Sequence, residues 1–166
     1  MTRAKAIAGS VAFLIAAPGV VAGLIPWWLT GWEMAPAWLV VRLVGAVLII
    51  AGLAFLLHTF ARFALEGGGT PAPVAPTQRL VVGGAYRYVR NPMYLAVEAI
   101  ILGQALFLWQ PVLFVYAAIP FAAVVAFVRF YEEPTLLETY GASYEAYRAA
   151  VPAWIPRLTP WNGARA

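Results

Sequence analysis

A chain of 166 residues, 63% of them hydrophobic and only 11% charged, is too apolar for a soluble domain of its size. It has no cysteine, no aspartate and a single histidine, His58, which excludes disulfides, thiolate catalysis and a cysteine- or histidine-rich metal site. The net charge of +4 does not point to nucleic acid, because the cations flank apolar spans, and that placement sets membrane topology. The composition therefore predicts an all-α, polytopic integral membrane protein, residues 1–166 forming one unit with no separate soluble catalytic domain.

After a short basic head with Arg3 and Lys5, residues 6–29 form the first apolar span, with Pro18, Gly23 and Pro26 inside it. A secretory signal peptide is the alternative. The length of the span and the membrane-like segments after it favour a retained helix, kinked at Pro18. Trp27, Trp28 and Trp32 at its far end read as an aromatic belt. Residues 37–61 form the second span, with Arg42 near its start and His58 near its end. Residues 62–91 read as a cytoplasmic loop, because its glycines and prolines forbid a regular helix through its middle. Its Gly67–Pro73 part is a linker or a lid. Residues 92–109 and 112–131 form the third and fourth spans, joined by a tight turn at Gln110-Pro111. Residues 134–149 then place Leu136, Leu137, Tyr140, Tyr144 and Tyr147 at helical spacing, which predicts an amphipathic helix lying on the membrane or on the protein. The tail, Val151 to Pro156, reads as extended and aromatic.

Four transmembrane helices put both termini on one side. Arg3, Lys5, Arg62, Arg79, Arg87, Arg90, Arg148, Arg157 and Arg165 then share that side, and Arg42 lies near the other. The rich side is the cytoplasmic one, which predicts a multi-pass protein of the cell inner membrane with the C-terminal helix on its cytoplasmic face.

The chemistry concentrates between Gly83 and Glu98, where a basic loop enters an apolar helix. Asn91 followed by Pro92 reads as a helix start, the amide capping free N–H groups and the proline fitting the first helical position. If the third and fourth spans pair about Gln110-Pro111, Glu132 and Glu133 come to lie beside Arg90 and Tyr94. A helix start and an arginine suit a carboxylate. The glutamates suit an amine or a ribose hydroxyl, and the tyrosines stack on a base or face a cation. Glu98, inside the third span, is a costly intramembrane carboxylate and either a functional group or a partner of Arg129. The structural readings stand beside these: Arg87 and Arg90 as positive-inside anchors, Glu132 and Glu133 as helix-end acids, Tyr94 as an interfacial tyrosine, Gln104 as an interhelical hydrogen bond, and Tyr140, Tyr144 and Tyr147 as packing.

Gly84-Ala-Tyr-Arg-Tyr-Val-Arg-Asn-Pro-Met-Tyr, an apolar hairpin, Tyr131-Glu-Glu-Pro-Thr-Leu, Tyr140-Gly-Ala-Ser-Tyr-Glu-Ala-Tyr-Arg and Val151-Pro-Ala-Trp-Ile-Pro, in that order, resemble the isoprenylcysteine carboxyl methyltransferase family. Its superfamily also takes in phospholipid N-methyltransferases, and the resemblance covers residues 67–157. It implies an S-adenosylmethionine-dependent methyltransferase with a lipid or other hydrophobic acceptor entering from the bilayer, and no metal. The implied donor residues are Arg90, Asn91, Pro92 and Tyr94 with Glu132 and Glu133; the residue reading adds Tyr86, Arg87 and Tyr144 to them, and Glu98, Arg129 and Glu132 as catalytic candidates. Asn91 stands where the isoprenylcysteine branch has histidine, and Ala96 where many members have glycine. Asn91 cannot act as a base, so the pattern favours a lipid or small hydrophobic acceptor over prenylcysteine. A nicotinamide-dependent membrane reductase and a non-enzymatic scaffold of the same fold are the alternatives.

Overall fold

The computed structural model describes residues 3–66 and 79–163, and among these there is no strand. Helix α1, Arg3–Leu14, runs through a wider π segment, Ile15–Leu24, into α2, Ile25–Thr30. Pro18 lies in that segment. It has no N–H to give and its ring pushes on the carbonyl four residues back, so the kink expected there takes the form of a ten-residue change of register. Gly31, at φ 59°, ends the helix in the left-handed region.

Helix α3, Leu39–Glu66, leads toward the 3₁₀ turn Gly84–Arg87 and then α4, Pro92–Leu108. Residues 67–78, which hold the Gly67–Pro73 stretch, lie outside the described residues. The interface of α3 with α4 is the most extensive among the described elements. It is a seam of small residues: a Cβ on Gly45 would stand 2.5 Å from the Phe107 nitrogen, and one on Gly52 would stand 3.0 Å from the Ala96 carbonyl. The low end of α3 thus meets the high end of α4, so the two run antiparallel, with their backbones nearly touching, a close approach that small residues allow. Ala96 belongs to this seam and is buried. Gln104 is buried too; its amide donates to the Ala22 carbonyl at 2.7 Å and accepts from the Trp32 indole at 3.2 Å, the interhelical bond expected of it.

Helix α5, Pro111–Phe127, passes through a π turn, Val128–Glu132, into α6, Glu133–Tyr140. The apolar span is therefore continuous over Pro111–Tyr140, where the sequence predicts a stop near Tyr131. The wider turn absorbs the N–H that Pro134 lacks. The break falls instead at Gly141, φ 52° and ψ −128°, and α7, Ala142–Ala150, follows. The single amphipathic helix expected over residues 134–149 is thus two helices. Tyr144 and Tyr147 of α7 are buried against Val81, Tyr86 and Val151, so this face packs on the protein.

Among the described residues, three helices are long and apolar enough to cross a membrane: Ile7–Thr30, Leu39–Arg62 and Pro111–Tyr140. Helix α4 has 17 residues and, at about 1.5 Å per residue, falls short of a ~30 Å hydrocarbon core.

Candidate active site

The lower end of α4 meets the end of the α5–α6 helix. Arg90 Nη1 donates to Glu133 Oε1 at 2.6 Å and to the Tyr144 hydroxyl at 3.3 Å. The Arg90 and Glu133 side chains are 13% and 9% exposed, so this pair is largely out of water. One turn along, the Tyr94 hydroxyl donates to Glu132 Oε2 at 3.1 Å. Arg129 and Arg148 approach the second Glu133 oxygen at 3.9 and 3.7 Å from more exposed positions, where ion pairs contribute little.

The C-terminal tail straps this cluster. The Pro152 carbonyl accepts from the Arg90 amide at 2.9 Å, and the Ala153 carbonyl accepts from the Asn91 side chain at 3.1 Å. Asn91 occupies the N-cap position but makes no cap bond; its donor group is turned to the tail, correcting the capping role expected of it. Trp154 lies on Tyr94 at 6.4 Å between centroids and meets Phe121 edge-on at 5.4 Å. The motif around Trp154 is visible in the sequence, but nothing there tells which helix the indole meets.

Two cavities open from the cluster. A narrow one of about 60 Å³ runs toward Glu133, Tyr144 and Tyr147. A larger one of about 400 Å³ extends between α1, α4 and α5. Both are bordered by Tyr86, Arg90, Asn91 and Glu132. The larger one is walled mainly by apolar groups such as Phe13, Phe60, Val124 and Phe127, and Pro18 and Pro120 both line it. Phe13 and Phe60, contributed by the first two spans, are wall residues that motif reading does not reach. Glu98 is the carboxylate deeper in this wall, and among the described residues it makes no ion pair within 4.0 Å. Arg129, expected as its partner, is exposed and turned to Glu133 one turn along its own helix. Arg87 is also apart from the cluster, held by the Trp161 carbonyl at 2.9 Å and by the Asn162 side chain. One nitrogen, Arg90 Nε, is buried without a hydrogen-bond partner among the described residues. An anionic oxygen is what such a group lacks.

Burial pushes the Tyr86 phenol well above its ordinary value, with Tyr147, Glu132 and Tyr94 adding to the effect. Burial likewise raises Tyr144 and Tyr147; for Tyr144 the Glu133 charge adds and Arg90 opposes, and for Tyr147 Arg90 opposes. All three are neutral donors at neutral pH. Tyr147 uses its hydroxyl on the Tyr86 carbonyl at 2.7 Å. A raised folded value means that stability is complete below the unfolded phenol value of about 10 and is lost as pH climbs beyond it. Melting temperature in detergent is accordingly expected to hold up to about pH 9 and to fall above about pH 10, and scans at fixed ionic strength check this.

A profile of phospholipid methyltransferases matches residues 40–143, more than half of the chain and the whole of α4, α5 and α6. The chain belongs to the phospholipid methyltransferase family. The phosphatidylethanolamine N-methyltransferase of Phaeosphaeria nodorum is 34% identical over 71 residues, which are 43% of this chain and 8% of that protein. The chain therefore matches less than a tenth of that relative's length. No solved structure matches the chain significantly. The family is one of membrane methyltransferases acting on lipids, in keeping with the three apolar spans and with the methyltransferase motifs read from the sequence. Neither the reductase nor the scaffold reading gains support from these matches.

Proposed function

We propose that this phospholipid methyltransferase family member transfers a methyl group from S-adenosylmethionine to the amine of a membrane lipid, at the cytoplasmic boundary of the bilayer. The observation that carries the reading is the junction itself: a charged cluster, Arg90–Glu133–Tyr144 and Tyr94–Glu132, opens directly into an apolar cavity whose wall holds Glu98.

The residues fit the donor. Arg90, with its unsatisfied Nε, suits a carboxylate; Glu132 and Glu133 suit an ammonium or ribose hydroxyls; Tyr86, Tyr94 and Tyr144 offer faces and hydroxyls; Asn91 and Pro92 form the adjoining wall. When bound, the donor supplies an activated methyl on a sulfonium. The chain's own residues align the acceptor, exclude water and take up its proton, and alignment carries most of the gain. The apolar wall holds the acceptor's hydrocarbon. A carboxylate in such a wall is expensive to keep charged unless a cation meets it, and an ammonium acceptor brings one. Glu98 is then placed to hold the ammonium, with Glu98 or Glu132 receiving its proton before the neutral nitrogen attacks. The name of the Phaeosphaeria nodorum relative points to the same acceptor atom.

In this reading α4 also crosses the membrane, paired antiparallel with α3 through the glycine seam, and both termini lie in the cytoplasm with most of the arginines. Incorporation of labelled methyl from S-adenosylmethionine into amine lipids, in proteoliposomes of the purified protein, tests the activity. Glu98→Gln is expected to lower that rate by about 100-fold or more while leaving donor affinity within about threefold. An equal loss of donor affinity would put Glu98 in the wrong half of the site.

A further inference from the structure

The strap that crosses the cluster turns back on itself. Going out, the Pro152 and Ala153 carbonyls bond to the Arg90 amide and the Asn91 side chain, and Trp154 reaches Tyr94 and Phe121. Coming back, the Arg157 amide donates to the Tyr88 carbonyl at 3.0 Å and the Trp161 amide to the Arg87 carbonyl at 2.9 Å. The partners thus climb from Arg90 into α4 and then descend to Tyr88 and Arg87. The apex of the loop, Ile155-Pro156, is therefore aimed along α4, toward the level of Phe121 inside the Pro111–Tyr140 span. At this apex Ile155 is 79% exposed, and Leu158 on the returning limb is 99% exposed. Phe130 and Tyr131 are exposed as well, and they directly precede Glu132, which Tyr94 holds at this level.

The loop is pinned from within, since Arg157 Nη1 also donates to the Ala150 carbonyl at 2.9 Å. Its two aliphatic side chains nevertheless take no part in packing this chain. Left in water, each forfeits about 1.5–3 kcal/mol relative to burial. Pro152, Pro156 and Pro160 have no N–H, so the loop carries few donors to leave unsatisfied at the edge of the hydrocarbon. The loop also stands at the Pro92 end of α4, and α4 is shorter than the hydrocarbon is thick, so acyl chains reach past that end. We propose that the loop of residues 154–158 is a membrane-inserting element. Ile155 and Leu158 enter the acyl chains of the nearer leaflet, Trp154 lies at the interface beside the exposed Phe130 and Tyr131, and Arg157 stays at headgroup level. Lipid contact thereby steadies the carbonyls that hold Arg90 and Asn91.

The chain has no cysteine, so a single introduced one takes a label site-specifically. Ile155→Cys and Leu158→Cys, each carrying an NBD fluorophore, are reconstituted in phosphatidylcholine vesicles, whose choline nitrogen is already fully methylated. Glu145→Cys, on the exposed side of α7, is the water reference, and Val47→Cys, on an exposed apolar face of α3, is the hydrocarbon reference. Vesicle lipids with a nitroxide near the headgroup end of the acyl chain are expected to quench the labels at 155 and 158 about threefold or more strongly than the label at 145, with blue-shifted emission and little quenching by iodide. Lipid quenching no greater than at 145, with full access to iodide, places the loop in water and overturns the proposal. Shielding from both quenchers, the mark of a second copy or another protein on the patch, overturns it too. The labelled side chains are exposed, so the fold is not at risk. The readout is depth rather than methyl transfer, so its failure is distinct from failure of the activity proposed above.

Discussion

Glu133→Gln is expected to weaken S-adenosylhomocysteine binding by about 10- to 100-fold and to lower methyl transfer by at least as much. Glu133 is the acid on which three arginines converge, and Arg90 is the only one of them mostly withdrawn from water. Glutamine keeps a carbonyl for Arg90 to bond but removes the charge. The arginine is then oriented yet unbalanced, and the hydrogen bonds offered to a ribose or ammonium lose their ionic part. Glu133→Ala is harsher, because it leaves Arg90 as an uncompensated buried charge, a change that costs about 3–5 kcal/mol in comparable pairs. Its failure to fold would say nothing about the donor, and glutamine is the informative substitution. Arg129→Ala, by contrast, removes a side chain that is 68% exposed and 3.9 Å from its partner, and is expected to change donor affinity by less than about threefold.

Gly45→Val is expected to prevent assembly of the helical core. A Cβ at this position would lie 2.5 Å from the Phe107 nitrogen, 2.6 Å from the Gly103 carbonyl and 2.9 Å from the Phe107 Cα. All three are backbone atoms, which cannot turn aside as a side chain does, so α3 and α4 must separate. Overpacking of a rigid interior costs about 1–3 kcal/mol even where side chains yield, and here the whole small-residue seam is lost with the close approach. Since α4 carries Tyr94 and Glu98 and receives the strap through Asn91, activity falls with the fold. Gly23 is the internal comparison: a Cβ there meets nothing within 4 Å. Gly23→Ala is expected to change stability by less than about 1 kcal/mol, in the stabilising direction if at all. Melting temperatures and monodispersity in detergent, measured side by side for the two variants, check the pair.

The meeting of Arg90 and Tyr94 with the Glu132-Glu133 pair was legible because it follows from one turn. Gln110-Pro111 folds α5 back on α4, so residues at equal distance from that turn lie at equal depth. Trp109, at φ 56°, closes α4 there in a conformation that residue type did not announce. The helix ends were less legible. Pro134 looked like a stop, but a π turn just before it carries the helix through. Gly141 was the true stop, hidden by the regular spacing of Tyr140, Tyr144 and Tyr147. Asn91 read as a cap from its position alone; only the tail in three dimensions shows that its donor goes to Ala153. The same holds for Arg87, close to Arg90 in sequence yet turned by the 3₁₀ turn toward a different cavity, and for Trp154, whose tilted contact with Tyr94 depends on where the tail crosses. Local pattern carried the helices and their pairing. The irregular segments that complete the site depend on tertiary contacts that no periodicity records.

The most direct measurement is calorimetric titration of the purified protein in detergent with S-adenosylhomocysteine. Saturable binding at one molecule per chain is expected, weakened strongly in Glu133→Gln and Arg90→Ala and little in Glu98→Gln. Absence of binding, or an affinity untouched by both of the first two substitutions, would contradict the assignment of the Arg90–Glu133 cluster as the donor site.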